Sequence, residues 1–107
     1  MNIEDLKKLS FREKYDLSIY LDTPAEVLKV LSMDDNREIR IYIAYNPNTP
    51  IKSLESLSED EYWAVRCNVA RNPNTTHSIL KKLFLDEDAL VREAVQENPN
   101  FKLKALL

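Results

Sequence analysis

Glycine is absent from all 107 residues. Loops that cradle phosphates and dinucleotides lean on glycine for close backbone approach, so P-loop and Rossmann-type nucleotide chemistry is excluded. Tight turns must come from Asn, Asp and Pro instead. Cysteine occurs once, as Cys67, which excludes an intramolecular disulfide and a cysteine-rich metal site and fits a reducing compartment. Histidine also occurs once, as His77, and reads as a surface residue at the start of a helix. No apolar run approaches the roughly 18 residues of a membrane span. Met1-Asn2-Ile3-Glu4-Asp5 lacks the basic-then-apolar order of a signal peptide. The expectation is a cytoplasmic protein with no membrane partner. Positive charge is not in excess either: 15 Lys and Arg stand against 18 Asp and Glu, a net charge of −3, which argues against a dedicated nucleic-acid binder. The length suits one domain.

What is present is one phrase said three times. Ile39-Arg40-Ile41-Tyr42-Ile43-Ala44-Tyr45-Asn46-Pro47-Asn48-Thr49 returns 26 residues later as Val65-Arg66-Cys67-Asn68-Val69-Ala70-Arg71-Asn72-Pro73-Asn74-Thr75. After another 26 it returns as Val91-Arg92-Glu93-Ala94-Val95-Gln96-Glu97-Asn98-Pro99-Asn100. A fixed period of this size marks stacked units, each too small to bury its own apolar face.

Each unit reads as two helices. Thr23-Pro24 and Thr49-Pro50 look like helix starts, with Thr as N-cap and Pro at the first helical position. In the third unit the pair is Thr75-Thr76. A short first helix follows, with Val27, Leu28 and Leu31 apolar in one unit, Leu54 and Leu57 in the next, and Ile79, Leu80 and Leu83 in the third; the spacing of three and four marks a core face. An acidic elbow comes next (Asp34-Asp35, Glu59-Asp60-Glu61, Asp86-Glu87-Asp88). The second helix turns Ile39 and Ile43, Val65 and Val69, or Val91 and Val95 inward. It must stop at Asn-Pro, because the residue before proline is driven from the helical region. Residues 1–19 form an N-terminal cap: a short face of Ile3, Leu6 and Leu9, then a helix over 11–20 opened by the capping box Ser10…Glu13. The expected architecture is all-α, a superhelix with the cap at 1–19, units at 20–45, 46–71 and 72–97, and a partial unit at 98–107.

Asn46-Pro47-Asn48-Thr49-Pro50, Leu54-x-x-Leu57 and Asp60 with Val65-Arg66 resemble the leucine-rich repeat variant family over about residues 20–107. The resemblance implies a right-handed α-solenoid of alternating short helices and no single biochemical activity. Founding members of that family carry an N-terminal cysteine cluster for an iron–sulfur centre; Cys67 alone supplies no counterpart, so no cofactor is expected. The Asp to Val-Arg spacing is also similar to HEAT repeats, where Asp and Arg form a ladder between units. Asp34, Asp60 and Asp86, each six residues before Arg40, Arg66 and Arg92, are the candidates for such a ladder. The elbows lack the ligand number and the glycine of a calcium loop, so no metal is expected.

The columns that change chemistry between units are the candidate binding positions. A helical wheel of the second helices puts Arg37, Ile41 and Tyr45, then Trp63, Cys67 and Arg71, then Ala89, Glu93 and Glu97 on the outward stripe. Ala44 and Ala70 beside it are small, as expected where helices crowd on a concave surface. Trp, Tyr and Arg are enriched at interface hot spots. The alternative assignment of Trp63, Tyr42 and Tyr45 is packing between neighbouring turns. No nucleophile–base pair is visible, so the chain reads as non-enzymatic. The leading expectation is a scaffold that holds a protein or peptide on this stripe. The alternatives are a nucleic-acid-binding module, begun by Arg37, Trp63 and Arg71, and a self-associating protein that dimerises through Leu103 and Ala105-Leu106-Leu107.

Overall fold

Every turn among the described residues is made without a left-handed residue: none of them has a positive φ, and none of their peptide bonds is cis. The structure, a computed structural model, describes residues 2–103. Among them are eight helices and no strand: α1 (Ile3–Lys7), α2 (Phe11–Ile19), α3 (Ala25–Leu31), α4 (Arg37–Tyr45), α5 (Ile51–Leu57), α6 (Trp63–Arg71), α7 (His77–Leu83) and α8 (Ala89–Glu97). The starts of α2, α4, α6 and α8 fall 26 residues apart, as do those of α3, α5 and α7. The period in the letters is therefore a period in the helices, and it already includes α2, which the sequence had consigned to a cap. None of the eight is long and apolar enough to cross a membrane.

The nine-residue helices lie side by side, α2 on α4, α4 on α6 and α6 on α8. The seven-residue helices α3, α5 and α7 each bridge two of them from one side, and α1 rests on α3. The result is a body of 47 × 23 × 17 Å. The core runs along its length between the two sets: Leu28 and Leu31, Leu54 and Leu57, Ile79, Leu80 and Leu83 from the short helices meet Ile39, Ile43, Val65, Val69, Val91 and Val95 from the long ones. These are the positions that the three-and-four spacing selects.

Threonine does a different job from the expected one. Pro24 and Pro50, not the threonines before them, are the N-caps of α3 and α5, and neither start has a side-chain cap bond. The hydroxyls point backwards: Thr23, Thr49 and Thr75 donate to the carbonyls of Leu17 (2.7 Å), Ile43 (2.6 Å) and Val69 (2.6 Å). Each adds a donor to a carbonyl in the last turn of a long helix, where those of Ile43 and Val69 also accept the N–H of Asn46 and Asn72. Only Thr76 caps as a helix start should, accepting from the Ile79 N–H. The Ser10–Glu13 capping box forms in full, and its bonds hold the exposed Glu13 carboxyl below its ordinary value.

The asparagines before proline do more than close a turn. Each side-chain oxygen accepts the N–H two residues on, from Asn48 (2.9 Å), Asn74 (2.8 Å) or Asn100 (2.8 Å), which is the expected local bond. Each side-chain nitrogen reaches into the preceding joint. Asn46 donates to the carbonyls of Ser18 and Tyr20, both at 3.0 Å. Asn72 donates to Ala44 (2.8 Å) and Asn46 (2.9 Å), and Asn98 to Ala70 (2.8 Å) and Asn72 (2.9 Å). Asn48, Asn74 and Asn100 add an outer row of bonds to Leu21, to Pro47, and to Pro73 and Thr75. One column of asparagine thus supplies donors to the C-terminal carbonyls of the neighbouring helix; those of Asn46 and Asn72 also accept the N–H of Thr49 and Thr75. Beyond Asn98, Phe101 takes the threonine position and stacks on Phe84 with ring centroids 5.1 Å apart. Leu103 is exposed, while Ala105, Leu106 and Leu107, invoked for dimerisation, lie outside the described residues.

Candidate functional site

The opposite edge of the long-helix layer carries the charged ladder, and it is offset by one unit from the simplest pairing. Arg40 does not bond the carboxylate of Asp34. Its Nη1 donates to the backbone carbonyl of Asp34 (2.8 Å), while Nε and Nη2 donate to the two carboxylate oxygens of Asp60 at 2.7 and 3.4 Å. Arg66 repeats the arrangement, with Asp60 O at 2.7 Å and Asp86 at 2.8 and 3.2 Å. Each aspartate also accepts the N–H of the residue that starts the next long helix, Asn36, Tyr62 or Asp88. One guanidinium therefore clamps two elbows, and the bond to Asp86 pushes the Arg66 pKa further up. At the first joint Lys14 takes the arginine's place, with Nζ 2.7 Å from Asp34. Arg92 bonds the carbonyl of Asp86 and has no carboxylate partner among the described residues. The Asp34, Arg40, Asp60, Arg66, Asp86 and Arg92 columns are thus committed to the joints between helices.

The outward stripe is only partly exposed. Arg37, Tyr45, Trp63 and Arg71 reach solvent, with Tyr45 61% and Trp63 40% exposed. Ile41 is half-buried and packs on the core. Cys67 is a correction: it is 2% exposed, its Sγ lies 3.8 Å from the Leu90 carbonyl, and burial pushes its thiol pKa up. The reason is crowding. The long helices pack so closely that the middle of each outward face is covered by the next helix, which also buries Ala44 and Ala70. The equivalent third-unit positions, Glu93 and Gln96, are exposed. What remains open is a pair of rows at the two ends of the long helices. One holds Phe11, Arg37, Trp63 and Ala89; the other holds Ile19, Tyr45, Arg71 and Glu97. Leu90 adds an exposed apolar side chain beside them.

Tyr62 was not singled out from the sequence, and it organises the row of this face that holds Arg37 and Trp63. Its ring supports the guanidinium of Arg37, 4.2 Å from the centroid, and tilts against Trp63 at 6.2 Å. A guanidinium stacked this way keeps its edges free to donate. Tyr62 stands where the other long helices have Ser10, Asn36 and Asp88, each of which caps its helix with a side-chain hydrogen bond. α6 has no such bond. Giving up that cap costs about 1 kcal/mol. The signal was available in the aligned columns, as the one aromatic among capping residues. Tyr42 belongs instead to packing, edge-on to Tyr15 at 4.9 Å.

No family model, curated protein or solved structure matches the chain. The face is therefore judged on its own chemistry. Among the described residues no group of three or more His, Cys, Asp and Glu gathers around a common point. His77 is half-buried, not a surface residue: its ring lies 5.8 Å from Phe101, Nδ1 accepts from the Lys102 N–H at 3.3 Å, and Nε2 is enclosed without a partner.

Proposed function

We propose that the chain is a non-enzymatic scaffold, a right-handed α-solenoid of about three 26-residue units behind an N-terminal helical cap, that holds a protein partner on the face of its long helices. The resemblance to leucine-rich repeat variants and a cytoplasmic location are parts of the same proposal. Its repeat architecture is supported by helix starts 26 residues apart and by two columns of bonds that recur in register. Close packing within the long-helix set, against short helices that chiefly meet the long ones, favours curvature with the long helices on the inner side.

The observation that carries the function is Tyr62. A capping position is given to an aromatic ring that braces Arg37 beside an exposed Trp63, on a face where Tyr45 and Arg71 are also open at the other ends of the same helices. Aromatic and arginine side chains held rigid at low entropy cost are the usual anchors of protein interfaces. The outer side of the short helices is different: apart from Ile51 it shows Lys52, Glu55, Ser78, Lys81 and Lys82 to solvent. A non-enzymatic reading fits the commitment of the chain's distinctive side chains, since Cys67 is buried in the core and His77 is engaged at Nδ1.

The test is affinity capture from the native cell, comparing wild type with a Tyr45→Ala, Trp63→Ala double variant whose helicity is checked by circular dichroism. Loss of the captured partner with an intact fold is the expected result. Equal recovery by both proteins would sink the assignment of this face.

A further inference from the structure

We infer that the face between α4 and α8 takes an extended protein segment whose charges come in blocks: acidic where it crosses α4 and α6, apolar over Trp63, and basic where it crosses α8. The inference rests on the reading above that this face holds a protein. Its own support is the distribution of uncommitted charge. Lys14, Arg40 and Arg66 are held by carboxylates, and Lys82 pairs with Glu59 across the short helices. Arg37 and Arg71, both exposed, form no ion pair among the described residues. The same is true of the exposed Glu93 and Glu97. On this face Arg37 and Arg71 stand on α4 and α6, and Glu93 and Glu97 stand together on α8; among the described residues Glu38 on α4 and the half-buried Arg92 on α8, bonded to the Asp86 carbonyl, also form no ion pair.

A polyanion does not match this order. A nucleic acid that met Arg37 and Arg71 would carry its next phosphates towards Glu93 and Glu97, and like charges set opposite each other are repelled. A protein segment can change sign along its length. Packed helices lie about 8–10 Å apart, and an extended chain rises about 3.3 Å per residue. From the centre of the acidic block, between α4 and α6, to the basic block over α8 is one and a half helix spacings, which takes about four residues. Trp63, on α6 itself, offers the apolar contact. Charge order sets specificity and on-rate here, and the aromatics set how long the segment stays.

The experiment measures fluorescence anisotropy with the purified chain and three labelled peptides of about twelve residues, long enough to cross all three helices. All share a Leu/Val centre; one has an acidic and a basic block, one two acidic blocks, one two basic blocks. An oligothymidylate of similar length is the fourth probe. Wild type should bind the mixed-block peptide about tenfold more tightly than either uniform peptide. A Glu93→Lys, Glu97→Lys variant, altered only at exposed positions, should transfer that preference to the all-acidic peptide. Equal affinity for the three peptides, or an unchanged order in the variant, overturns the block rule. If Tyr45→Ala, Trp63→Ala then abolishes the equal binding, the face stands and only its charge code fails; if it has no effect, the face fails as well. Binding of no peptide also overturns the proposal, and tighter binding of the oligonucleotide than of any peptide replaces it with nucleic-acid recognition.

Discussion

The joints between α4, α6 and α8 are bonded differently from the end of the molecule that holds α1 and α2. At α6 a buried arginine bonds an aspartate with two nitrogens and a backbone carbonyl with a third, while Asn72, fully buried, makes two bonds across the joint and one within its own turn. At the joint of α2 with α4 Asn46 keeps its two bonds, to Ser18 and Tyr20, but the arginine is replaced by Lys14, which makes one charged bond to Asp34. At the C-terminal end of α2, where the next asparagine of that column would bridge towards α1, the residue is Tyr20, which is exposed. α1 buries only Leu6 and lies between clefts of about 520 and 470 Å³, both lined by Ile3, Leu6 and Val30. Helix pairing alone gives the arrangement. The polar columns decide how firmly each joint is closed.

The largest effect should come from removing the interior asparagine. Asn72→Ala leaves the carbonyl of Ala44 without a donor and that of Asn46 with only the Thr49 N–H, at roughly 3–5 kcal/mol for the group of lost bonds. Urea denaturation should show it as a lower midpoint, and a loss below about 1 kcal/mol would mean that water replaces the amide. Arg66→Met strands the Asp86 carboxylate and should cost about 3 kcal/mol by the same measurement. Leu6→Ala frees α1 and should cost only about 1–2 kcal/mol, because the helix can lift away instead of leaving a cavity. Native-state hydrogen exchange would then show α1 unprotected while α4 and α6 keep their protection; loss in all three would erase the contrast between the joints. Lys14→Arg gives the first joint the interior chemistry and should add about 0.5 kcal/mol. The smallest effect concerns pH. The folded Glu13 pKa lies below its ordinary 4.5, so its capping box stabilises above pH 4.5 and is lost as the pH falls through the lower folded value. Melting curves of wild type and Glu13→Ala should differ at neutral pH and converge on acidification.

The helices and their buried faces were legible because the two signals agree. The 26-residue period aligned the units, and apolar spacing within each unit picked out Leu28, Ile39, Ile43 and their equivalents, all fully buried. The arginine column was legible as a ladder, but its partner was not. Asp34 and Asp60 belong to one column, and only the lateral offset of adjacent helices decides which carboxylate Arg40 reaches. The misplacement of Cys67 has a related cause. A wheel divides a helix into an inner and an outer half, whereas α6 is also enclosed sideways by α4 and α8. Thr23 and Thr49 misled because Thr-Pro is a helix-start signal locally, and the buried carbonyls that claimed their hydroxyls belong to the helix before.

The interlocking asparagines and arginines also set a kinetic property. Every side-chain bond in the two columns that crosses from one long helix to the next spans 20 to 28 residues of chain, never more. Loop-closure entropy grows only with the logarithm of loop length, and here that length is nearly constant from joint to joint. No joint has to wait for a distant part of the chain, so folding can begin at any of them and spread in either direction. Further units of the same kind would add stability while leaving the entropic barrier to the first step unchanged.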